Sequence, residues 1–239
     1  MTEKNIPLVW ITGASRGIGA AIGTAFASEG ARVILTGRNG AALRRIAAKI
    51  NRDGGKASVI VCDVRSSQSV FRAQSLIRRT WGDIDLLVNN AAITYFKSFA
   101  RTTTKEFDGL MATNLRGVFL CIKSVLPRML KLKRGTIINI VSVSATTTFP
   151  DSSVYSASKA GVLALSRGLR MEVRKKGIRV VDILPGAVET KMWDRTSRAK
   201  YGKRMMRPSD VAQVAVAAFK LPENVLTEEI TVRPLEGDL

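Results

Sequence analysis

Short runs of apolar, β-branched residues alternate with segments of helical periodicity along the 239-residue chain. The runs hold almost no polar residue, as in Val33-Ile34-Leu35 and Val59-Ile60-Val61, which is typical of strands buried on both faces of a parallel sheet. Their alternation with helices predicts an α/β fold with a doubly wound parallel sheet and helices on both faces. Seven strands are expected, near residues 7–12, 31–37, 57–62, 84–89, 135–142, 178–184 and 228–233.

The length of the chain fits one domain over residues 1–239, because neither a linker nor an internal repeat interrupts it. No stretch approaches the roughly 18 consecutive apolar residues of a membrane span. The polar start, Met1 to Pro7, leads into a strand rather than a signal-peptide core, so a cytoplasmic location is expected. Cys62 and Cys121 lack the number and spacing of a disulfide framework or a zinc site, and we interpret both as reduced packing residues.

Histidine is absent, which excludes serine-histidine triads and nearly every histidine-ligated metal site, so no metal is predicted. Acid–base chemistry at neutral pH must therefore come from tyrosine, lysine or carboxylates. The formal net charge of +19 would suit an anionic partner or simply a solvated surface. No nucleic-acid-reading motif accompanies the charge, so nucleic-acid binding is not expected to be the main role.

A glycine-rich segment, Thr12-Gly13-Ala14-Ser15-Arg16-Gly17-Ile18-Gly19, follows the first predicted strand and opens a helical segment. Glycine lets the main chain approach a ligand closely, and the free N–H groups of a helix start attract an anion, which predicts a phosphate site. An ordinary strand-to-helix turn is the alternative. The loop lacks the Gly-Lys-Ser/Thr ending of a P-loop, which argues against nucleoside-triphosphate hydrolysis.

The second predicted strand ends at Thr36-Gly37-Arg38-Asn39, where an NAD-binding protein would place a carboxylate for the ribose hydroxyls. Arg38 stands there instead, and Arg16 lies within the glycine-rich segment. Two guanidinium groups suit a 2′-phosphate through paired hydrogen bonds, so NADP is predicted over NAD. A turn cation in a basic protein is the alternative interpretation of Arg38.

Tyr155 and Lys159 are four residues apart, which places both side chains on one face of a predicted helix. Oxidation of a secondary alcohol needs a base for the hydroxyl proton, and without histidine a tyrosinate can serve if its pKa, about 10 when free, is lowered. Alone, a Tyr-x-x-x-Lys pair is common on helix surfaces. This pair follows Ser142, which comes after a strand whose carboxyl end faces the same crevice as the glycine-rich segment.

These motifs together resemble the short-chain dehydrogenase/reductase family, whose Thr-Gly-x-x-x-Gly-x-Gly pattern matches residues 12–19. Further matches follow in order along nearly the whole chain: Asn89-Asn90-Ala91, with Ala92 in place of the family's glycine, then Asn114, Ser142, Tyr155, Lys159 and Pro185-Gly186. The resemblance implies a Rossmann-like fold and a catalytic set of Asn114, Ser142, Tyr155 and Lys159.

The resemblance also implies a role for each residue of this set. Ser142 would hydrogen-bond the substrate oxygen, and Tyr155 would transfer the proton. Lys159 would bind the nicotinamide ribose and, with the positive nicotinamide ring, would lower the tyrosine pKa. Asn114 would distort its helix and hold a water of the proton relay.

For the cofactor, the resemblance implies that Asp63 approaches the adenine amino group, that Val64 packs on the ring and that Thr190 contacts the carboxamide or phosphates. The full set of implied NADP(H) contacts is Gly13, Ser15, Arg16, Gly17, Ile18, Gly19, Arg38, Asp63, Val64, Asn90, Ala91, Tyr155, Lys159, Pro185, Gly186, Val188 and Thr190.

Asn114 falls within a run of apolar residues at helical spacing, which predicts a long helix with a buried stripe. The predicted buried residues are Phe107, Leu110, Met111, Leu115, Val118, Phe119, Ile122, Val125, Leu126 and Met129. The family resemblance further implies a homodimer or homotetramer formed through this helix and the helix of Tyr155, where Ala157, Ala160, Gly161 and Ala164 would permit close packing.

A basic segment near residues 187–207 is expected to cap the substrate site. Its charge could favour an anionic substrate such as a 3-oxoacyl chain on an acidic carrier, although a basic loop is expected anyway in so basic a chain. The sequence thus predicts an NADP(H)-dependent oxidoreductase that interconverts a carbonyl and a secondary alcohol. A dinucleotide-binding or sensor protein without turnover and a nucleic-acid-associated basic protein are the alternatives.

Overall fold

The computed structural model describes residues 6–222 and 224–238, and its strands form one seven-stranded sheet in which every pair is parallel. The strands are β1 (Leu8–Ile11), β2 (Arg32–Gly37), β3 (Lys56–Val61), β4 (Leu86–Asn89), β5 (Gly135–Ile140), β6 (Ile178–Pro185) and β7 (Glu229–Val232). Their order is β3-β2-β1-β4-β5-β6-β7, which confirms the predicted doubly wound, Rossmann-like sheet. The winding reverses between β1 and β4, where ligands bind in such folds.

Helices cover both faces of the sheet, as predicted. They are α1 (Gly17–Ser28), α2 (Gly40–Arg52), α3 (Ser67–Trp81), α4 (Thr104–Met111), α5 (Gly117–Leu132), α6 (Ser153–Val173), α7 (Arg195–Tyr201) and α8 (Pro208–Lys220). Two clusters of buried apolar side chains lie on opposite faces. Trp10 packs in the cluster with α3, α5 and α6, whereas Val9 and Ile11 pack in the cluster with α1, α2 and α8, as the alternation of side chains along a strand requires.

The predicted long helix is present, but its predicted buried stripe is wrong at two positions. A π-helical turn, Ala112–Arg116, joins α4 to α5. Phe107 and Phe119 are 44% and 45% exposed, because the helix packs on the sheet with one side only and these rings point away from it. Periodicity marks every apolar position and cannot tell a core-facing ring from one that faces solvent or another protein.

The helical stretch Thr104–Leu132 is long and apolar enough to cross a membrane by length and composition alone. More than half of its apolar window is buried within the fold, and Cys121 and Val125 pack in the core beside the sheet. We therefore interpret it as a core helix. The part of the polar start before Ile6 lies outside the described residues.

Candidate active site

The glycine-rich loop leaves the carboxyl end of β1, and α1 begins at Gly17. Gly13 and Gly17 have φ values of +64° and +55°, in the left-handed region that favours glycine. Arg16, the N-cap residue of α1, is extended and gives no side-chain hydrogen bond to the first turn. The N–H groups at the start of α1 therefore lack a side-chain cap and are suited to an anion.

Asn90 and Thr12 hold this loop in shape. The Asn90 amide Nδ2 donates to the carbonyl oxygens of Thr12 and Gly13 at 3.0 and 3.2 Å. The Thr12 hydroxyl accepts from the N–H groups of Asn90 and Ala91 at 3.0 and 3.1 Å. Asn90, predicted as a cofactor contact, thus uses both amide hydrogens to support the loop. Thr12 was not among the predicted site residues, although a hydroxyl at the end of a buried strand is a recognisable signal.

The three glycines of the loop lie against the segments that follow neighbouring strands. A Cβ atom on Gly13 would lie 2.7 Å from the Cα of Ala91, and one on Gly17 would lie 3.3 Å from the Thr190 Cγ2. A Cβ atom on Gly19 would lie only 2.4 Å from Asn90 Nδ2. The structure therefore brings the loop together with the segments after β4 and β6, and leaves no room for a side chain at Gly13 or Gly19 and little at Gly17.

At the end of β2 the structure places Arg38 on the surface, directly after the strand. Because β2 pairs with β3, Arg38 lies near Asp63. The Asp63 pKa is lowered chiefly by hydrogen bonds from Arg65, and the charge of Arg38 adds a smaller lowering effect. Arg16 is exposed as well. No carboxylate follows β2, so this edge offers positive charge where NAD-specific sites offer a negative one.

Asp63 differs from its predicted environment, because its carboxylate is already engaged. Arg65 donates to both carboxylate oxygens, the shortest contact being 2.6 Å from Nη2 to Oδ2, and its main-chain N–H donates to Oδ1 at 3.0 Å. This hydrogen bonding is the largest cause that lowers the Asp63 pKa. Arg65 was missed by sequence reasoning, since a cation two residues from a carboxylate is common in turns.

Several residues predicted to contact the cofactor are buried or half-buried within the protein. Val64 is buried in the core, and a Cβ atom on Gly117 of α5 would lie 2.9 Å from its Cγ2, so little of Val64 is free to pack on a ring. Ile18 is half-buried and packs against the α1 side of the core. Ser15 is also half-buried, within the loop.

Ser142, Tyr155 and Lys159 come together at the carboxyl end of β5. Ser142 lies two residues after β5, and Tyr155 and Lys159 lie in the first two turns of α6. All three side chains are buried. The Lys159 ammonium donates to the carbonyl oxygen of Ile140, the last residue of β5, at 2.8 Å, and lies 5.8 Å from the centre of the Tyr155 ring. The Ser142 hydroxyl accepts from the Ser144 N–H at 3.1 Å and lies near enough to Tyr155 to lower its pKa, so a hydroxyl, a proton-transfer group and a cation share one site.

Burial controls the protonation of this set. It raises the pKa of Tyr155 to about 12, against the lowering effect of the Ser142 hydrogen bond. It also lowers the pKa of Lys159 from 10.5 to about 8. In the chain by itself, desolvation of the phenolate outweighs the effect of Ser142, so the lowering of the Tyr155 pKa by Lys159 together with the nicotinamide ring stays a prediction.

Asn114 lies in the π-helical turn, a helix distortion of the kind the resemblance implied. Its Oδ1 accepts from the Ile93 N–H at 2.9 Å, and its Nδ2 donates to the Ile93 carbonyl at 2.9 Å and to the Ser158 hydroxyl at 3.1 Å. Both amide hydrogens are thus used. Asn114 ties the segment after β4 to α6, and a relay water at this residue would have to bind the main chain rather than the amide N–H groups.

Strand β6 ends at buried Pro185, and the segment after it contains buried Val188 and half-buried Gly186 and Thr190. Val188 forms a parallel bridge with Met206, which closes the base of the intervening segment, residues 189–205. This segment, which we call the lid, carries α7. Its Trp193 ring stacks on Phe96 of the segment after β4, with ring centres 5.0 Å apart. The lid therefore reaches from the end of β6 to the segment after β4, while its role in capping a substrate remains a prediction.

Ala92 occupies the position where the family's motif has glycine. Among the described residues, the non-glycine residues in the left-handed region are Lys133 and Asp151. Ala92 therefore needs no conformation that only glycine tolerates, and the substitution is accommodated without backbone strain.

A doubly wound sheet with a glycine-rich loop at its switch point, and a buried serine, tyrosine and lysine at the same edge, defines a dinucleotide-binding oxidoreductase of the α/β class. The family description "short chain dehydrogenase" matches residues 7–200. The chain therefore belongs to the short-chain dehydrogenase family, as the sequence motifs predicted.

Individual proteins show the same similarity. The chain is 35% identical to an uncharacterised oxidoreductase of Staphylococcus saprophyticus, over 98% of this chain and 100% of that protein. It is similar to a metagenomic short-chain oxidoreductase solved in complex with NADP, with a TM-score of 0.85, 32% identity and coverage of 95% and 96% of the two chains. It is also similar to a variant of actinorhodin polyketide ketoreductase solved with NADPH, with a TM-score of 0.90, 28% identity and 98% coverage of both chains.

Proposed function

We propose that this protein is an NADP(H)-dependent oxidoreductase that interconverts a carbonyl and a secondary alcohol, with Tyr155 as the acid–base residue. The observation that carries the proposal is the buried set of Ser142, Tyr155 and Lys159 at the same sheet edge as the glycine-rich loop. When bound, NADPH supplies a hydride and NADP accepts one. The protein's part is to orient the substrate oxygen and to move its proton.

The cofactor would be held by groups with distinct tasks. The uncapped start of α1 would take the pyrophosphate, and the glycines of the loop would allow the close approach of the main chain. Arg16 and Arg38 would bind the 2′-phosphate, for which planar guanidinium groups are well suited. The two similar structures described above contain NADP or NADPH, which supports the same choice of cofactor.

In the direction of reduction, the Tyr155 hydroxyl would donate its proton to the carbonyl oxygen, and Ser142 would hydrogen-bond the same oxygen. The high pKa of Tyr155 keeps its proton in place at neutral pH, as a proton donor requires. Lys159, held on the Ile140 carbonyl, would bind the nicotinamide ribose. In the opposite direction Tyr155 would first release its own proton toward solvent, which requires Lys159 and the bound cofactor to lower its pKa, and the phenolate would then accept the hydroxyl proton of the alcohol.

Proton exchange with solvent would pass from Tyr155 through the neighbourhood of Lys159 to a water at the Asn114 turn. The Asn114 side chain has no free N–H, so we assign it the task of holding this turn and α6 in place. The water would bind a main-chain oxygen of the π-helical turn, a kind of turn that is often found at functional sites.

We propose that the protein works as a homodimer or homotetramer in the cytoplasm. An apolar groove on α4, α5 and α6 supports self-association; it is lined by Asp108, Met111, Ala112, Leu115, Arg116, Phe119, Gly161 and Leu165. Ala157 and Ala164 lie exposed on α6, as contact between close-packed helices would require.

A protein that binds the dinucleotide without turnover is the alternative. It would need neither a buried tyrosine nor a lysine held against a strand end, and both are present here. We therefore favour the enzyme.

A turnover assay tests the proposal. The purified protein would be incubated with NADPH and a panel of ketones, including 3-oxoesters, and with NADP and secondary alcohols, while absorbance of the reduced cofactor is followed. We expect turnover with at least one member of the panel and a preference for NADP(H) over NAD(H). Tight binding of NADPH without turnover of any member would favour the sensor protein.

A further inference from the structure

A buried ion pair lies below the active site. Arg170 of α6 donates from Nη2 to Oδ2 of Asp182 in β6 at 2.7 Å, and the two side chains are 3% and 0% exposed. Arg170 also donates to the main-chain carbonyls of Val180 and Glu228, at 3.0 and 2.9 Å. These contacts tie the last turns of α6 to β6 and to the residue before β7.

The pair continues sideways across the sheet as a polar row. Asn139 of β5 donates from Nδ2 to Asp182 Oδ1 at 3.0 Å and to the Ser166 hydroxyl of α6 at 2.8 Å. Asn89 of β4 donates in turn to Asn139 Oδ1 at 2.8 Å. Asn89, Asn139 and Asp182 are direct partners in the strand register, so the row joins three neighbouring central strands.

Two residues of the row are each followed directly by a residue of the site. Asn139 immediately precedes Ile140, whose carbonyl oxygen accepts the hydrogen bond of Lys159. Asn89 immediately precedes Asn90, which holds the glycine-rich loop. On α6, Ser166 lies seven residues after Lys159, so the two side chains stand on one face of the helix, two turns apart.

The composition of the row argues against a purely stabilising role. Apolar residues of similar volume commonly stabilise a core as well as a buried ion pair does, because desolvation of the charges offsets their attraction. Asn89 Oδ1 is buried and has no hydrogen-bond partner among the described residues, so the row is not fully satisfied. Such a row does fix one position of α6 on the sheet, because a shift of the helix would leave charged groups unpaired in the core.

We propose that Arg170, Asp182, Asn139 and Ser166 are positioning residues that fix α6 against the ends of β4 and β5 and thereby hold Lys159 on the Ile140 carbonyl. The catalytic consequence rests on the proposed function, because it concerns the geometry of the same proton-transfer site. The structural claim, that the row sets the environment of Lys159, can be measured without turnover.

The test replaces the ion pair by apolar residues in the double variant Arg170→Met/Asp182→Leu. We expect a folded protein with a melting temperature within about 5 °C of the wild type, because both charges are removed together. We expect kcat to fall about tenfold or more, since small displacements of reacting groups are costly, and the KM for NADPH to change less, because most of the proposed cofactor contacts lie outside α6. We also expect the Lys159 pKa, followed by NMR of lysine side chains and assigned with Lys159→Met, to rise from about 8 as water reaches the ammonium.

Arg167→Gln is the matched control. Arg167 lies one turn before Arg170 on α6 and forms an exposed bidentate ion pair with Glu229 at 2.7 and 2.9 Å. Glu229 also lies 3.8 Å from Arg170, so this control removes a surface charge beside the polar row and leaves every hydrogen bond of the row in place. This variant should keep the wild-type kcat and Lys159 pKa. If kcat and the Lys159 pKa change in both variants, any disturbance of α6 has the same effect as loss of the buried pair, and the proposal is overturned.

A double variant with the wild-type kcat and Lys159 pKa would overturn the proposal. If the double variant fails to fold, Asn139→Leu replaces it, because this change removes the link to β5 and leaves the ion pair in place; the same readouts and expectations apply. If the wild type turns over no substrate, the proposed function fails, and the Lys159 pKa alone decides the positioning claim: a rise supports it, and no change overturns it.

Discussion

Arg38 is the residue on which the choice of cofactor depends most. It follows β2 directly and stands exposed at the crevice, where the ribose of the cofactor would lie. We expect Arg38→Asp to weaken NADPH binding about 10- to 100-fold, because charge-assisted hydrogen bonds to the 2′-phosphate are lost and a repulsive carboxylate is introduced. NADH binding should be unchanged or improved, since the carboxylate can accept from the ribose hydroxyls.

Fluorescence titration with both cofactors measures this change. Arg45→Asp on the exposed side of α2 alters the net charge equally and serves as the control, which should leave the ratio of the two dissociation constants unchanged. If the ratio for Arg38→Asp equals that of the wild type, the 2′-phosphate is bound elsewhere.

The buried Lys159 should make the free energy of unfolding depend on pH. Its pKa is about 8 in the folded protein and 10.5 ordinarily, so between these values the unfolded chain holds a proton that the folded protein has released. The free energy of unfolding therefore rises with pH in this window, by up to about 1.4 kcal/mol per pH unit, and below pH 8 the buried charge is a cost. Lys159→Met should accordingly be more stable than the wild type at pH 7, and this difference should shrink by pH 9.5.

Urea unfolding of both proteins at pH 7, 8.5 and 9.5 measures the difference. The difference in the free energy of unfolding between wild type and variant excludes the contributions of groups that titrate alike in both proteins. A difference that does not change with pH would show that Lys159 titrates normally in the folded protein.

At the scale of elements, the turn from β1 into α1 depends on Gly19. A Cβ atom there would lie 2.4 Å from Asn90 Nδ2 and 2.7 Å from the Gly13 carbonyl, so alanine must push apart the contacts that shape the loop. We expect Gly19→Ala to lower the free energy of unfolding by about 1–3 kcal/mol and to weaken NADPH binding more than tenfold.

Gly168→Ala is the control for this prediction. Gly168 lies on the exposed face of α6, with no atom within 4 Å of the added Cβ. There alanine should stabilise the helix by about 0.5–1 kcal/mol and leave cofactor binding unchanged. Equal effects of the two substitutions on NADPH binding would contradict the role of Gly19.

Elements that follow from local chemistry could be predicted from the sequence. The seven strands were predicted from short apolar runs, and the pairing of Tyr155 with Lys159 follows from helix geometry. Contacts made across the fold could not be predicted: the Ile140 carbonyl that holds Lys159 lies 19 residues away, and Asn90 turned out to support the loop. Arg65 was missed because its bond to Asp63 depends on the turn after β3.

At the scale of the whole molecule, the apolar groove on α4, α5 and α6 predicts self-association. Phe119 is 45% exposed within it, and burial of such rings against a second copy would contribute about 1.5–3 kcal/mol each. We expect the wild type to be a dimer or tetramer by light scattering, and Phe119→Glu to reduce the mass of the particle. Phe99→Glu changes an exposed ring outside the groove and should have no effect. A monomeric wild type would contradict this prediction.

The central claim, that a buried tyrosine moves the proton in hydride transfer, is tested most directly by Tyr155→Phe. The substitution removes one oxygen atom and keeps the ring that packs at the start of α6. With the best substrate from the panel, we expect kcat to fall about 100- to 10,000-fold while the dissociation constant of NADPH stays near that of the wild type. A Tyr155→Phe protein with the wild-type rate would contradict the mechanism.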